Sequence, residues 1–427
     1  MEKTKDDAPS KSVVWCKRGV AGWFKKFFWE GQKLHAGQAA KMESDLSHDD
    51  WHKRFMARHR RAIGFLAPVC FIQILYWSAF VSRGRWYIFA EKYAMSITMV
   101  FGAMIAGMTS EGGGAVAFPV MTLVLGVHPS VARDFSVMVQ VTTLATVTQQ
   151  ACGMTAASFS IILQRIHFEW YALLIGSLGG AIGAVGGFYT VDRYFDPKQK
   201  KMGFVSIWFS FAFALFMLNR YSKRKTYYKI HNMRLWKAAV LLVAGIVGGL
   251  FTSFAGNGLD ICCFSVLTLL FRVTEKVATP TSVILMAINS CICFYWRGMV
   301  MDEISQDAFD YLGVTVPIVT IMAPVGATLG SHFHRHVLAS FIYILDTVAL
   351  VTAFIILPLG TTLILVSVAI VCGGFIFFGV LTYLGSKTIA EYERVGVVDT
   401  YVENEDSGVL PMDGGGLAGR DNLGAQL

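Results

Sequence analysis

Charge is what this chain has least of. Only 15% of its 427 residues are Asp, Glu, Lys or Arg, where a soluble domain carries about 25%. Other absences narrow the reading further. There is no HExxH, no pair of intramembrane aspartates and no Cys–His pair, and the ten histidines fall in loops or at the ends of apolar runs, so a membrane-embedded hydrolase has nothing to work with. The eight cysteines (Cys16, Cys70, Cys152, Cys262, Cys263, Cys291, Cys293 and Cys372) form no CxxC. They read as small apolar residues, without a disulfide framework or a zinc site. No nucleic-acid-binding motif accompanies the net charge of +8, and no apolar core leads the first 61 residues, so no cleaved leader is expected.

What the chain does have is apolar length. It is 54% hydrophobic with a mean hydropathy of +0.52, and runs long enough to cross a bilayer as helices recur along it. The expected class is an all-α polytopic membrane protein. Uninterrupted spans are expected near 62–82, 129–151, 168–190, 203–219, 276–297, 308–330, 336–357 and 361–384. Two further apolar segments, near 94–125 and 236–271, are broken in the middle.

Those breaks resemble each other. Ala106-Gly-Met-Thr-Ser-Glu-Gly-Gly-Gly114 interrupts the first, and Gly249-Leu-Phe-Thr-Ser-Phe-Ala-Gly-Asn-Gly258 the second. Thr109-Ser110 lies 143 positions before Thr252-Ser253. Ala132 and Ser136 lie 146 before Ala278 and Ser282, and Gly183 and Gly187 lie 143 before Gly326 and Gly330. The sequence therefore reads as two copies, 94–219 and 236–357, each a broken segment followed by three spans. The three-residue change of offset is assigned to the loop after the second break. Residues 1–61 are a basic cytosolic extension, in which Trp23, Phe24, Phe27 and Phe28 suggest an interfacial helix. Residues 62–93 hold a flanking span and loop, 220–235 a basic cytosolic loop, 358–385 the last span, and 386–427 an acidic tail expected to be disordered.

Charge decides how the broken segments run. Arg220, Lys223, Arg224, Lys225, Lys229, Arg234 and Lys237 cluster between the copies, and positive loops stay in the cytosol. That is satisfied if each broken segment is a re-entrant hairpin. The copies are then inverted relative to each other and both termini are cytosolic. The alternative, with both segments fully spanning, places this basic loop outside.

In a re-entrant hairpin the second half-helix starts just after the glycines, with unpaired amides and the positive end of its dipole. Two such ends meeting in the bilayer make an anion site. The candidate substrate-binding residues are Ser110, Gly112, Gly113, Gly114, Ser136, Gln140, Ser253, Gly256, Asn257, Gly258, Thr281 and Ser282, with Thr143 and Asn289 beside them. Each hydroxyl or amide could equally serve helix packing. Carboxylates inside apolar segments are costly and point to function, which makes Glu111, Asp260 and Asp346 candidates for ion coupling. Glu111 has Phe254 as its expected counterpart, and Asp260 could instead complement its own helix dipole. Arg133 is expected either to neutralise Asp134 or to attract anions at a vestibule. His332-Phe-His334-Arg-His336 has metal spacing but no acidic or Cys partner, so it is read as an interfacial cluster.

At these residues the chain resembles the TauE/SafE sulfite exporter family. The resemblance rests on Glu111-Gly-Gly-Gly-Ala-Val-Ala-Phe-Pro119, on Gly126-Val-His-Pro-Ser-Val-Ala132 with Ser136, and in the second copy on Gly248-Gly249, Gly256, Gly258, Val277-Ala278 and Ser282. The second copy departs from it, with Ala255 and Asn257 in place of a glycine triplet and Cys262 or Cys263 where the first has Pro119. The resemblance implies secondary transport of sulfite, sulfonates, sulfoacetate or other organic anions, and no enzymatic activity. The rival classes are an anion or proton channel and a receptor-scaffold on the same fold. The expected partners are a small anionic substrate and a bilayer with an anionic inner leaflet. No cofactor, metal or nucleic acid is expected, a homodimer is compatible with the chain, and the plasma membrane is the default location.

Overall fold

A computed structural model describes residues 51–109, 112–140, 167–220, 233–333, 335–357 and 360–394, with Phe28, Ser158, Ile161, Ile162, Tyr227, Lys229 and Ile230 besides. Among these, all regular structure is helical apart from one isolated bridge, Tyr227 to Val273. The helices are α1 (Trp51–Arg83), α2 (Tyr87–Glu91), α3 (Tyr93–Met108), α4 (Gly112–Pro119), α5 (Pro129–Gln140), α6 (Trp170–Tyr189), α7 (Val191–Tyr194) and α8 (Pro197–Arg220). They continue with α9 (Leu235–Ala255), α10 (Leu259–Ser265), α11 (Glu275–Tyr295), α12 (Gln306–His332), α13 (Arg335–Ile356) and α14 (Thr361–Arg394). Among the described residues five helical stretches are long and apolar enough to cross a membrane, within Trp170–Tyr194, Leu235–Ala255, Val277–Val300, Gln306–Gly326 and Thr361–Thr388; α3 and Leu259–Leu270 are shorter apolar helices.

Both broken segments reverse direction. A straight helix would carry residue 116 about 21 Å beyond residue 102. Instead, a Cβ placed on Gly102 would lie 3.4 Å from the Val116 side chain. In the second segment a Cβ on Gly248 would lie 2.7 Å from the Leu259 backbone and 3.2 Å from Cys262 Cβ. Each return helix then ends in one wide π turn, Val120–Val124 or Val266–Leu270. The two turns close in the same way. The Leu125 and Val127 amides donate to Val120 and Met121 carbonyls, and those of Phe271 and Val273 to Val266 and Leu267. Thr122 and Thr268, one in each turn, return their hydroxyls to Phe118 and Phe264 carbonyls at 2.8 and 2.7 Å.

The alignment of the copies needs three corrections. The π turns are 146 residues apart, so the counterpart of Pro119, the residue before the first turn, is Ser265 and not Cys262 or Cys263. The three extra residues lie in the second break and not in the loop after it. α3 stops at Met108, just before Thr109, whereas α9 continues past Thr252 to Ala255. Pairing the return helices at that offset then sets Asn257, not Phe254, opposite Glu111, and Gly258 opposite Gly112. Finally, the acidic tail begins later than expected. α14 stays helical to Arg394, because Gly385 lets it lie directly on the Leu269 carbonyl and Ser386 and Thr388 return hydroxyls to their own helix. Similarly α1 begins at Trp51, before the expected span. The proposed interfacial helix, apart from the helical Phe28, and residues 395–427 lie outside the described residues.

The two most extensive seams are α9 against α6, and α3 against α12. Each places a hairpin's first helix against the second of the three spans of the other copy. Gly179 and Gly183 on α6 interlock with Gly245 and Gly249 on α9 so closely that methyl groups added to any of the four would strike backbone atoms of the other helix. In the other seam the same close approach occurs between Gly326 of α12 and the Met104 carbonyl of α3.

Two prolines interrupt α12, Pro317 and Pro324. Pro317 cannot donate to the Gly313 carbonyl, and the Tyr76 hydroxyl from α1 donates to it instead at 2.6 Å. The Gln73 side-chain amide, also on α1, donates to the Pro317 carbonyl at 2.7 Å and to the Thr320 hydroxyl at 2.8 Å. α1 is thus fastened to the bundle by polar contacts on a helix whose outer face is apolar.

Candidate functional site

The second break is a glycine-bounded turn at the tip of its hairpin. Gly256 closes α9 in the left-handed region at φ +77°, its amide donating to the Thr252 carbonyl, and Gly258 follows at φ +150° before α10 starts. A Cβ on Gly256 would sit 2.5 Å from the Arg133 carbonyl and 2.6 Å from Ser136 Cβ. The tip of the second copy is therefore seated on α5 of the first. α5 also packs against α4, the return helix of the first hairpin, so one helix touches parts of both hairpins. Ser110 and Glu111 of the first break lie outside the described residues. Gly112, Gly113 and Gly114 form the first turn of α4.

Around the second tip the side chains are buried and polar. Ser136 is wholly buried and its hydroxyl has no hydrogen-bond partner. Asn257, 1% exposed, accepts from the Gly258 amide at 3.0 Å through its own side-chain oxygen. Asp260 is fully buried, and its carboxylate oxygens make no hydrogen bond of ordinary geometry. The Gly258, Asp260 and Ile261 amides and the Asn257 side chain lie close enough to act on it. Asn289, on α11, is buried with its side-chain oxygen 3.0 Å from where a Cβ on Gly180 would stand, and that oxygen is also unpaired.

Other candidates have their hydroxyl protons committed. Ser253 donates to the Leu250 carbonyl at 2.7 Å, Thr281 to Val277 at 2.6 Å and Ser282 to Thr279 at 2.9 Å. Thr281 also accepts from the Glu169 amide at 2.9 Å. Gln140 ends α5 and Thr143 falls beyond it; neither side chain is among the described residues. Asp346 is buried on α13, which packs chiefly against α8, so it belongs to a different part of the bundle from the second tip.

Beside the tip lies a cluster the sequence did not reveal. Arg133 pairs with Asp134 at 2.8 Å, as one of the two expectations held, and also with Asp192 on α7. Lys200 on α8 holds the other Asp192 oxygen at 2.7 Å. The second Asp134 oxygen accepts from Arg297, 3.1 Å away, in the π turn that follows α11. Arg297 in turn reaches the carboxylate and the carbonyl of Glu303. Both guanidiniums flank the Phe188 ring, at 5.8 and 5.7 Å from its centre. The buried cations Arg133, Lys200 and Arg297 are matched by Asp134, Asp192 and Glu303, and the exposed Arg193 adds a fourth cation 3.9 Å from the other Glu303 oxygen. Buried charge at such density persists only when paired. The cluster ties α5, α7 and α8 to the end of α11, across the two copies. Asp192, Lys200, Arg297 and Glu303 sit in a one-turn helix, a helix start, a final turn and a loop, where charge attracts no notice in a sequence; only the fold brings them to Arg133 and Asp134.

The chemistry available at the tip is recognition of a ligand. The tip offers amides, an unpaired hydroxyl and a buried carboxylate, and no nucleophile–base pair stands among these groups. Among the described residues no group of His, Cys, Asp and Glu could hold a metal ion. No curated protein and no solved structure matches the chain. The family described as Sulfite exporter TauE/SafE matches residues 94–359, from α3 through α13, which includes both hairpins and the charged cluster. With more than half of its length covered and several helices fit to span a bilayer, this chain is an integral membrane protein belonging to the TauE/SafE sulfite exporter family, a family of transporters.

Proposed function

We propose that the chain is a secondary transporter, in the exporting direction, for sulfur-containing or organic oxyanions such as sulfite, sulfonates or sulfoacetate. The carrying observation is the seating of the second glycine tip on α5, with Gly256 against Arg133 and Ser136. It brings the first amides of the Leu259–Leu270 helix, Asn257 and the unspent Ser136 hydroxyl to one place. An oxyanion is recognised there by dipoles and hydrogen bonds whose geometry discriminates, and its release is not opposed by a fixed full charge. Gly112–Gly114, Ser110 and Gln140 contribute from the first break and α5, whereas the hydroxyl protons of Thr281 and Ser282 are already spent within α11.

The two copies work as inverted repeats. Each hairpin enters and leaves on one side, both termini and the 220–237 loop are cytosolic, and the copies rock against each other to expose the site alternately. The exchange of partners in the two seams supports this arrangement. The plasma membrane is the natural location for an exporter.

Asp260 supplies a physical route to proton coupling. It stands in the first turn of the helix whose positive end would receive the substrate. An ionised Asp260 and a bound anion compete for the same dipole and repel each other. Anion binding and protonation of Asp260 therefore go together, and the pair crosses as a unit. Glu111 is the corresponding candidate at the first break, and Asp346 stands third because it lies on α13.

The test is flux of sulfite or taurine into proteoliposomes holding the purified chain, with and without a pH gradient. Substrate-dependent, gradient-sensitive flux is expected. Absence of flux for every sulfur oxyanion, carboxylate and phosphate tried would remove the proposal. Single-channel currents above any carrier turnover would replace it with a channel.

A further inference from the structure

Among the described residues Trp208 is the one buried tryptophan, 1% exposed. Tryptophan in a membrane protein concentrates at the bilayer surface, where its N–H meets water. Trp51, Trp77, Trp86, Trp170 and Trp236 are accordingly exposed. Trp208 is instead the twelfth residue of the 24-residue α8, about 18 Å from either end. Its indole Nε1 is buried and has no hydrogen-bond partner. A buried indole N–H is normally bonded, and one left unmade costs folding energy.

Two stripes of α8 meet different neighbours. Ser206 and Ser210 face α14: the Ser206 and Ser367 hydroxyls are 2.6 Å apart, and a Cβ on Gly374 would lie 2.6 Å from Ser210 Cβ. Phe204, Trp208 and Phe211 form the other stripe, and it faces the return helices. Phe204 packs on Phe118 of α4 with ring centres 4.7 Å apart. Phe211, which also borders Phe378 of α14, meets Phe264 of α10 at 6.3 Å. Phe118 and Phe264 are equivalent, each the second residue before its hairpin's π turn, and Trp208 comes between the two residues that touch them. Stacking on Phe204, 4.0 Å centre to centre, fixes the plane of the indole. Along α4 the register is antiparallel. The Lys201 ammonium donates to the Thr122 carbonyl at 2.7 Å, Phe204 meets Phe118, and one further turn sets Trp208 level with Gly114. α8 also touches α5 and α9, which carry the seat and the tip of the second hairpin.

We propose that the Trp208 indole N–H is a substrate donor, supplied by the third span of the first copy to the oxyanion held between the hairpin tips. Gly112, Gly113 and Gly114 make the first turn of α4 and bring no side chain, so one oxyanion reaches their amides and the indole together. An indole N–H donates and cannot accept. It therefore suits an ionised oxygen, and it adds no full charge that would hold the anion back from release. The Ser206 and Ser210 hydroxyls are already bonded to carbonyls of α8, whereas the indole proton is unspent. The class of ligand rests on the transport reading; the choice of residue rests on the unpartnered N–H and its place between the return helices.

The experiment joins two measurements on the purified full-length chain in detergent. One is calorimetric titration with sulfite and, in turn, a sulfonate, a carboxylate and phosphate. The other is fluorine NMR of the chain labelled with 5-fluorotryptophan, titrated with the same anions. Trp208→Phe keeps the aromatic stack and removes the N–H. Affinity for the anion that the parent binds is expected to fall about tenfold, the worth of a hydrogen bond to an ionised group. Thermal stability is expected to stay the same or rise, because an unmet donor is gone. Trp170→Phe alters an exposed tryptophan at the start of α6 and should bind as the parent does. The fluorine signal missing from Trp208→Phe belongs to Trp208, and in the parent it is expected to move with the same midpoint as the heat. Unchanged affinity in Trp208→Phe, or a Trp208 signal that stays still while the anion binds, overturns the proposal and leaves the transporter standing. Affinity and stability falling together would make Trp208 structural and overturn it as well. A parent that binds none of the four anions fails the transport reading itself, and the role of Trp208 falls with it.

Discussion

The two hairpins share their scaffold and differ at their tips. Each has a helix, a break, a return helix and a wide final turn closed by the same pair of amides. The first helix stops at Met108, before its Thr-Ser pair, but in the second the matching pair is helical and α9 continues to Ala255. Three extra residues lengthen a helix by about 4.5 Å. That extension carries the Gly256 turn onto α5. It also sets Asn257 where the first break has the acidic Glu111, and moves the nearest carboxylate into the return helix as Asp260. One scaffold therefore gives two tips of different reach and different charge. A binding site between them is asymmetric even though the fold that holds it is repeated.

The sharpest way to break the comparison is at the seat of the longer tip. Gly256→Val forces a branched side chain into a left-handed backbone and against the Arg133 carbonyl, which belongs to a helix and cannot swing aside. The two penalties together come to about 3 kcal/mol. A fall in thermal stability of the detergent-solubilised chain of that order, with loss of flux, is expected. Near-normal stability would mean that the tip is not seated as described.

Next in size is the carboxylate difference. Asp260→Asn keeps the shape of the side chain but cannot ionise. Flux is expected to persist and to lose its response to a pH gradient, where the parent gains up to about tenfold per pH unit for one coupled proton. A variant as gradient-sensitive as the parent would shift coupling to Glu111 at the other tip.

A smaller effect is expected where the tip meets α5. The Ser136 hydroxyl has no partner at present, and an unsatisfied buried donor costs folding energy. Ser136→Ala should therefore leave stability unchanged or slightly higher. Substrate affinity should fall about fivefold, the worth of one hydrogen bond near 1 kcal/mol. Stability and affinity moving down together would mark Ser136 as structural. Ser253→Ala provides the contrast, because its hydroxyl proton is already bonded to Leu250, and its expected effect on affinity is smaller.

Much of this architecture was legible beforehand. Apolar runs located the spans, the Thr-Ser-glycine strings located the breaks, and the basic residues between the copies pointed to chain reversal, which the backbone shows at Gly102 and Gly248. What failed were quantities set by contact rather than pattern. Sequence offsets could not show that the extra residues fall inside the second break, because Thr-Ser pairs match equally well whether helical or not. The π turns were invisible, since Val-Met-Thr-Leu-Val and Val-Leu-Thr-Leu-Leu read as ordinary helix. Arg297 was missed because Asp134 lies 163 positions away in sequence, and an arginine at a span end is unremarkable until its partner is known.

The smallest expected effect isolates a backbone difference between the hairpins. Just past each π turn the chain takes one left-handed residue, Gly126 at φ +68° and Arg272 at φ +56°. Glycine adopts that conformation freely, whereas any other residue there costs about 1 kcal/mol. Arg272 persists because its guanidinium donates to the Thr382 carbonyl at 2.9 Å and so fastens α14 to the hairpin. Arg272→Ala removes the contact and keeps the strain; Arg272→Gly removes both. The glycine variant should therefore be the more stable of the two by about 1 kcal/mol. Nothing lies within 4 Å of a Cβ on Gly126, so Gly126→Ala should cost about the same amount for the same reason. Thermal unfolding of the three variants measures both differences. If they disagree by more than about 1 kcal/mol, the two turns are not equivalent, and the likeness of the hairpins ends before their last residue.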